Sequence, residues 1–193
     1  MAELHYIAPL ANVRSIVEHG ILSHVRAQRF NPISVAAQVI QDRRANVQVP
    51  GGRPLHQYAN LYFHARNPML YLRKDMHAEL CVLRIGTTVL DLAGVVITDA
   101  NASSGYSRFA AAPDGLAIVN RDLTFAEYWA DPDDDLPERL RRKSAKNAEV
   151  LVPDRVPPGF IVGAYLSCEE SMEGFTALGV AVTGHLSPHL FFR

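Results

Sequence analysis

Eight short strand-like runs, at residues 4–7, 58–63, 80–85, 95–98, 116–119, 150–152, 160–167 and 179–183, set the strongest limit on what this chain can fold into. Runs this short, broken by Gly, Pro and Asp, cannot satisfy their own backbone groups and must pair in a sheet. Helical spacing falls around Leu10, Val13, Ile16 and Val17, and at residues 35–45, 69–74, 124–129 and 136–146. These helices do not alternate one for one with the strands, so the pattern predicts an α+β fold and argues against a doubly wound parallel sheet.

Local signals sharpen this outline. Gly20 follows the first helical pattern as a C-terminal cap, and Asn67-Pro68 pairs an N-cap residue with the residue favoured at the first helical position. The stretch Val49-Pro50-Gly51-Gly52-Arg53-Pro54 reads as a loop. With 193 residues and 48% hydrophobic composition, the chain can bury one sizeable core, and a single domain over residues 1–193 is expected. The net charge of −1 excludes a global basic field for duplex binding, so any nucleic-acid contact must be local. Cys81 and Cys168 lie in apolar runs and read as buried structural thiols rather than a disulfide or a metal pair. The opening residues show no basic segment followed by an apolar one, and no window approaches the roughly 18 apolar residues of a membrane span. A cytoplasmic protein without a membrane partner is expected.

Several chemistries are absent as motifs. The glycines at 51, 52, 86, 94 and 105 do not have P-loop or dinucleotide-fingerprint spacing, no serine sits in a nucleophile elbow, and the scattered histidines form no zinc pattern, so no metal is expected. What remains is a set of ordered pieces. They are Leu4-His5-Tyr6-Ile7; Arg43-Arg44 before the glycine-rich loop; residues 58–71, reading YANLYFHARNPMLY; Asp99-Ala100-Asn101-Ala102; Trp129 with Asp133-Asp134-Asp135; Arg141-Arg142; and Ala148-Glu149-Val150-Leu151-Val152. Taken singly, these are a core strand, a solvated arginine pair, a charged helix face and an exposed glutamate.

Taken in order over roughly residues 4–165, they resemble the DarT family of bacterial toxins, which transfer ADP-ribose from NAD to DNA bases, thymine or guanine. The resemblance implies an ADP-ribosyltransferase-like fold with a mixed, mainly antiparallel central sheet and flanking helices. It implies NAD as co-substrate, single-stranded DNA as acceptor, and an antitoxin that removes the modification or blocks the site. One departure is visible: Ile7 stands where many members have threonine, which removes a hydroxyl from the NAD side while leaving backbone contacts possible.

The reaction explains why such residues are wanted. Breaking the bond between nicotinamide and ribose builds oxocarbenium-like charge on the sugar, which a fixed carboxylate stabilises. Glu149, at the start of an apolar strand, is the residue the resemblance assigns to that role, with a second use as general base. Without a P-loop the pyrophosphate needs a guanidinium, and Arg43 or Arg44 is expected to supply it. Tyr62 and Phe63 are expected to offer the nicotinamide an aromatic slot, although strand alternation lets only one of them face a given side; the resemblance implies that His5 lies nearby through its backbone groups and that Ile7 and Met69 are among the residues around NAD. The basic run Arg139, Arg141, Arg142, Lys143 and Lys146 precedes Glu149 and is expected to guide a single-stranded backbone to the sugar. Two other readings stand beside this one: transfer to RNA or protein, and an inactive nucleic-acid-binding module.

Overall fold

The computed structural model describes residues 2–34 and 38–192. Its strands are β1 (Glu3–Pro9), β2 (Ile21–Leu22), β3 (Tyr58–Tyr62), β4 (Leu80–Gly86), β5 (Val96–Thr98), β6 (Phe109–Ala111), β7 (Glu149–Pro153), β8 (Arg155–Val156), β9 (Ile161–Leu166) and β10 (Gly184–Leu186). Its α-helices are α1 (Val13–His19), α2 (His24–Ala27), α3 (Gln38–Ala45), α4 (Pro68–Tyr71), α5 (Arg121–Phe125), α6 (Leu136–Ala145) and α7 (Glu169–Ala177). Eight strands form one sheet in the order β10-β9-β4-β1-β3-β7-β5-β6, and β2 pairs with β8. Among the described residues, only β9 and β10 run parallel; the other pairs are antiparallel. The sheet is therefore mixed and mainly antiparallel, as expected. Among the described residues, no helix is long and apolar enough to cross a membrane.

The pleat divides the side chains into two packed faces. Leu4, Ala8, Leu61, Leu83, Val150 and Leu166 share the main core with Val13 and Phe175, while Ile7, Leu80 and Val82 pack on the other face against Leu70, Leu190 and Phe191. Helix ends obey the local signals: Gly20 closes α1 at φ +88°, and its position leaves 2.2 Å between an added Cβ and the Val156 carbonyl oxygen, so only glycine fits. Asn67 caps α4 by accepting from the Leu70 N–H, with Pro68 at the first helical position. The helix read at residues 35–45 is α3 from Gln38 onward; residues 35–37 lie outside the described residues.

Three expectations are corrected. The apolar run at 116–119 is a 3-10 turn, Asp114–Ile118, because Gly115 is buried against the Ala110 carbonyl and the adjacent segment Phe109–Ala111 takes the strand position instead. The run at 179–183 is a connection: Gly179, at φ +64°, leaves α7, and pairing with β9 begins only at Gly184 opposite Ala164. Cys168 is half-buried at the N-terminus of α7, where hydrogen bonding from Ser167 and Ser171 holds its thiol below the usual range. Cys81 is the buried thiol, pushed up to about 12 by burial. Both are free.

One irregularity positions everything that follows. β1 pairs with β4 along seven residues but with β3 at a single register pair, His5 opposite Tyr62. Beyond that pair the two central strands part, and the sheet opens.

Candidate active site

The opening between β1 and β3 is a cleft of about 910 Å³, within the range of small-molecule sites. Tyr6, Ile7 and Pro9 line it from β1, and Tyr58, Asn60 and Tyr62 from β3. Gln41 and Arg44 enter from α3, Pro68 and Met69 from α4, and Asn101, Lys143 and Asn147 close a further wall. Among the described residues, three buried side-chain atoms in this lining have no hydrogen-bond partner: Gln41 Oε1, His56 Nε2 and Asn147 Oδ1. Buried polar atoms are usually satisfied, so this group suits a polar ligand rich in donors and acceptors.

Glu149 lies behind Arg44. It is fully buried, which overturns the exposed strand-edge glutamate that composition alone suggests. Its place follows from register: it stands opposite Tyr62 across β3 and β7. Arg44 Nη1 donates to Oε1 at 3.1 Å and to Oε2 at 3.0 Å, and the Ala102 N–H donates to Oε1 at 3.1 Å. The Glu149 N–H is held by Thr98 Oγ1, which itself donates to the Ala100 carbonyl. Ala100 and Ala102 are almost fully buried, and this close packing explains why the segment at 99–102 is built from small residues. A carboxylate with one guanidinium and two short segments around it is fixed before any ligand arrives, which is what electrostatic stabilisation of a cationic sugar requires.

The other expected site residues separate. Arg44 is buried in the cleft, whereas Arg43 is exposed on the outer side of α3 and does not line it. Tyr62 lines the cleft, and burial with the adjacent Glu149 carboxylate pushes its phenol well above the usual range, so it stays a neutral donor. Phe63, the next residue, faces the main core and a separate cavity of about 410 Å³, as alternation requires, and is not at the nicotinamide side. Ile7 and Met69 line the cleft. His5 is buried at the point where the strands part, 3.3 Å from Glu3 and outside the cleft lining.

The basic run is also divided. Lys143 lines the cleft from α6. Arg139 is exposed on the same helix. Arg141 pairs with Glu138 at 2.7 Å, and Arg142 pairs with Glu138 at 3.0 Å and Asp134 at 3.2 Å, so the charge of these two is neutralised locally. Lys146 is corrected outright: at 1% exposure it cannot meet a DNA backbone. Its Nζ donates to the carbonyls of Thr124 and Ala126 and lies 2.9 Å from His64 Nδ1, tying α5 and the end of β3 to the turn before Glu149. Burial lowers its ammonium to about 8 and, with Lys146 beside it, lowers His64 to about 4. From this anchor the chain runs to Trp129, whose ring packs edge-on against Tyr71 at 5.7 Å and Phe192 at 5.6 Å, over the flank of α4.

Sequence reading missed Thr98, Gln41, His56, Asn60 and Asn147. Neutral polar side chains carry no signal until the fold buries them, although Asn147 lies two residues before Glu149. No group of three or more metal-ligating side chains is found among the described residues.

The profile of the family described as "ssDNA thymidine ADP-ribosyltransferase, DarT" matches residues 5–192. The chain is 34% identical over 177 residues to a DNA ADP-ribosyl transferase-DNA ADP-ribosyl glycohydrolase fusion protein of Thermosipho africanus, covering 87% of this chain but 43% of that protein. It is 33% identical over 165 residues to a DNA ADP-ribosyl transferase of Thermus sp. strain 2.9, covering 80% and 76%. Among solved structures, Thermosipho africanus DarTG in complex with ADP-ribose superposes with a TM-score of 0.83 at 29% identity, over 100% of this chain and 51% of that one. Thermus sp. 2.9 DarT in complex with ADP-ribosylated ssDNA superposes with a TM-score of 0.81 at 23% identity, over 99% and 96%, a likeness of fold. A profile match along nearly the whole chain, joined to a relative at 33% identity of which this chain covers 76%, means that the chain belongs to the DarT family.

Proposed function

We propose that this chain transfers ADP-ribose from NAD to a base of single-stranded DNA, with thymidine the acceptor that the family description favours. The observation that carries the reading is a fully buried Glu149 carboxylate held by Arg44 and the Ala102 N–H behind a cleft of dinucleotide size in the split between β1 and β3. NAD supplies an activated glycosidic bond to the ribose. Ile7, Tyr62 and Met69 give the nicotinamide an apolar and aromatic slot, and the Tyr62 phenol adds a donor. Arg44 holds Glu149 through Nη1, which leaves the rest of the guanidinium to meet the pyrophosphate.

When the nicotinamide–ribose bond breaks, its electron pair leaves with nicotinamide and positive charge appears on the sugar. Glu149 stabilises that charge, a nitrogen of the base attacks the sugar carbon, and the proton lost from the base passes to a carboxylate or to water. Lys143 brings the DNA backbone past this point, with Arg139 further along α6. The glycohydrolase named in the fused relative supports a second proposal, that the product is reversed by an enzyme removing ADP-ribose and that the chain acts as the toxin of such a pair.

Incubation of the purified chain with labelled NAD and single-stranded DNA, RNA or protein tests the reading. Label on DNA that is lost with Glu149→Ala is expected. Label confined to RNA or protein, or label that survives the substitution, overturns it.

A further inference from the structure

The geometry points to Asn147 as the residue that selects the acceptor base, its Oδ1 accepting the ring N–H that thymine and guanine carry and that cytosine and adenine lack. The inference rests on the DNA-modifying function proposed above and deepens it.

Asn147 is 7% exposed, yet it lines the cleft. Its Nδ2 donates to the Lys143 carbonyl at 3.0 Å. A carbonyl only accepts, so this bond fixes which end of the amide is nitrogen and turns Oδ1 the other way. That oxygen is buried and has no partner among the described residues. A buried acceptor left unpaired is costly, and such an atom in a cleft is completed when a ligand brings a donor.

Position decides which ligand. Asn147 belongs to the wall made by α6 and the turn into β7, with Lys143 and Asn101 beside it, and the Asn101 N–H binds the Ser144 carbonyl at 3.0 Å to tie this wall together. The groups suited to NAD come from other elements, β1, β3, α3 and α4. Asn147 also stands two residues before Glu149 in the chain, at the turn that leads into the strand bearing it. A base delivered along Lys143 therefore meets an amide oxygen before it meets the sugar.

Hydrogen-bond polarity then discriminates. Thymine presents a ring N–H between two carbonyl groups and guanine one between a carbonyl and an amino group, and either N–H can donate to Oδ1. Neutral cytosine and adenine present a ring nitrogen lone pair at the matching edge, which opposes Oδ1 and leaves it unpaired. Sites built to bind a donor reject analogues lacking it far better than apolar pockets reject a change of size. One oxygen thus sorts the four bases into two classes, and further contacts choose within the accepted class.

The test is equilibrium binding of single-stranded oligonucleotides with NAD absent, comparing one central thymine with 3-methylthymine, whose ring N–H is replaced by a methyl group. The native chain is expected to bind the methylated oligonucleotide about 10- to 100-fold more weakly. With Asn147→Ala, and independently with the near-isosteric Asn147→Leu, that difference is expected to shrink to about threefold or less. Two variants guard against one of them failing to fold, and melting temperatures report on both. Equal binding of the two oligonucleotides by the native chain, or a difference that survives in the variants, overturns the role of Asn147. A native chain that labels no oligonucleotide when NAD is added instead overturns the function on which the inference rests, so the two failures are separable.

Discussion

Arg44→Met should destabilise the chain sharply, because it strands a carboxylate that the fold buries completely. Glu149 is 0% exposed and Arg44 is 7% exposed, and the pair closes through two contacts at 3.0 and 3.1 Å. Removing one partner of a buried pair costs about 3–5 kcal/mol, whereas replacing both by neutral groups is often close to neutral. The Ala102 N–H still reaches Oε1, which favours the lower end of that range. For a chain of this size, about 3 kcal/mol corresponds to a melting point lower by on the order of 10 °C. Adding Glu149→Gln to the same chain removes the stranded charge while keeping an oxygen for Ala102, so the double variant should recover most of the loss. Thermal and urea unfolding of the native chain, both single variants and the double variant measure the coupling directly. A native-like Arg44→Met, or losses that simply add in the double variant, would refute the idea that this pair is a mutually dependent buried unit.

Other consequences follow from the same contacts. Lys146→Met should lower stability by about 2–4 kcal/mol in urea unfolding, because it leaves His64 and the Thr124 and Ala126 carbonyls without their donor, yet it should leave the salt dependence of DNA binding unchanged. Lys143→Ala should instead reduce the slope of log affinity against log salt by roughly one, while Arg141→Ala, already paired with Glu138, should change it little. His64 is depressed to about 4 in the fold against about 6.5 unfolded, so the unfolded chain takes up its proton first as pH falls. Stability present above pH 6.5 is therefore lost between about 6.5 and 4, and unfolding measured across that range should be less pH-sensitive in His64→Gln. Tyr62→Phe should alter NAD affinity by a few-fold at most, and Tyr62→Ala by about tenfold or more, if the ring supplies the slot.

The sequence made the scaffold legible where one physical rule governs one short segment. Asn67-Pro68 specifies a helix start and Gly20 a helix end, and both are found. Residues 150–152 are strand because an apolar run of that length has few alternatives. Residues 116–119 were ambiguous for the same reason, and Gly115 packing against Ala110 chose the turn. The site was harder to read. A lysine four places after Arg142 belongs to a basic run in sequence, but the end of α6 turns Lys146 inward among carbonyls. Alternation stated that Tyr62 and Phe63 face opposite sides; choosing the side required the strand separation beyond His5. The opening itself, set by where β1 stops pairing with β3, is a property of register that no local pattern encodes.

Intact-mass analysis of a single-stranded oligonucleotide incubated with NAD and either the native chain or Glu149→Gln tests the central claim most directly, with NAD affinity measured in parallel. The native chain should add the mass of one ADP-ribose, with fragmentation placing it on thymine. Glu149→Gln should bind NAD within a few-fold of the native chain and leave the oligonucleotide unmodified. Transfer by the variant at a rate near that of the native chain, or the absence of any adduct with the native chain, would contradict the account.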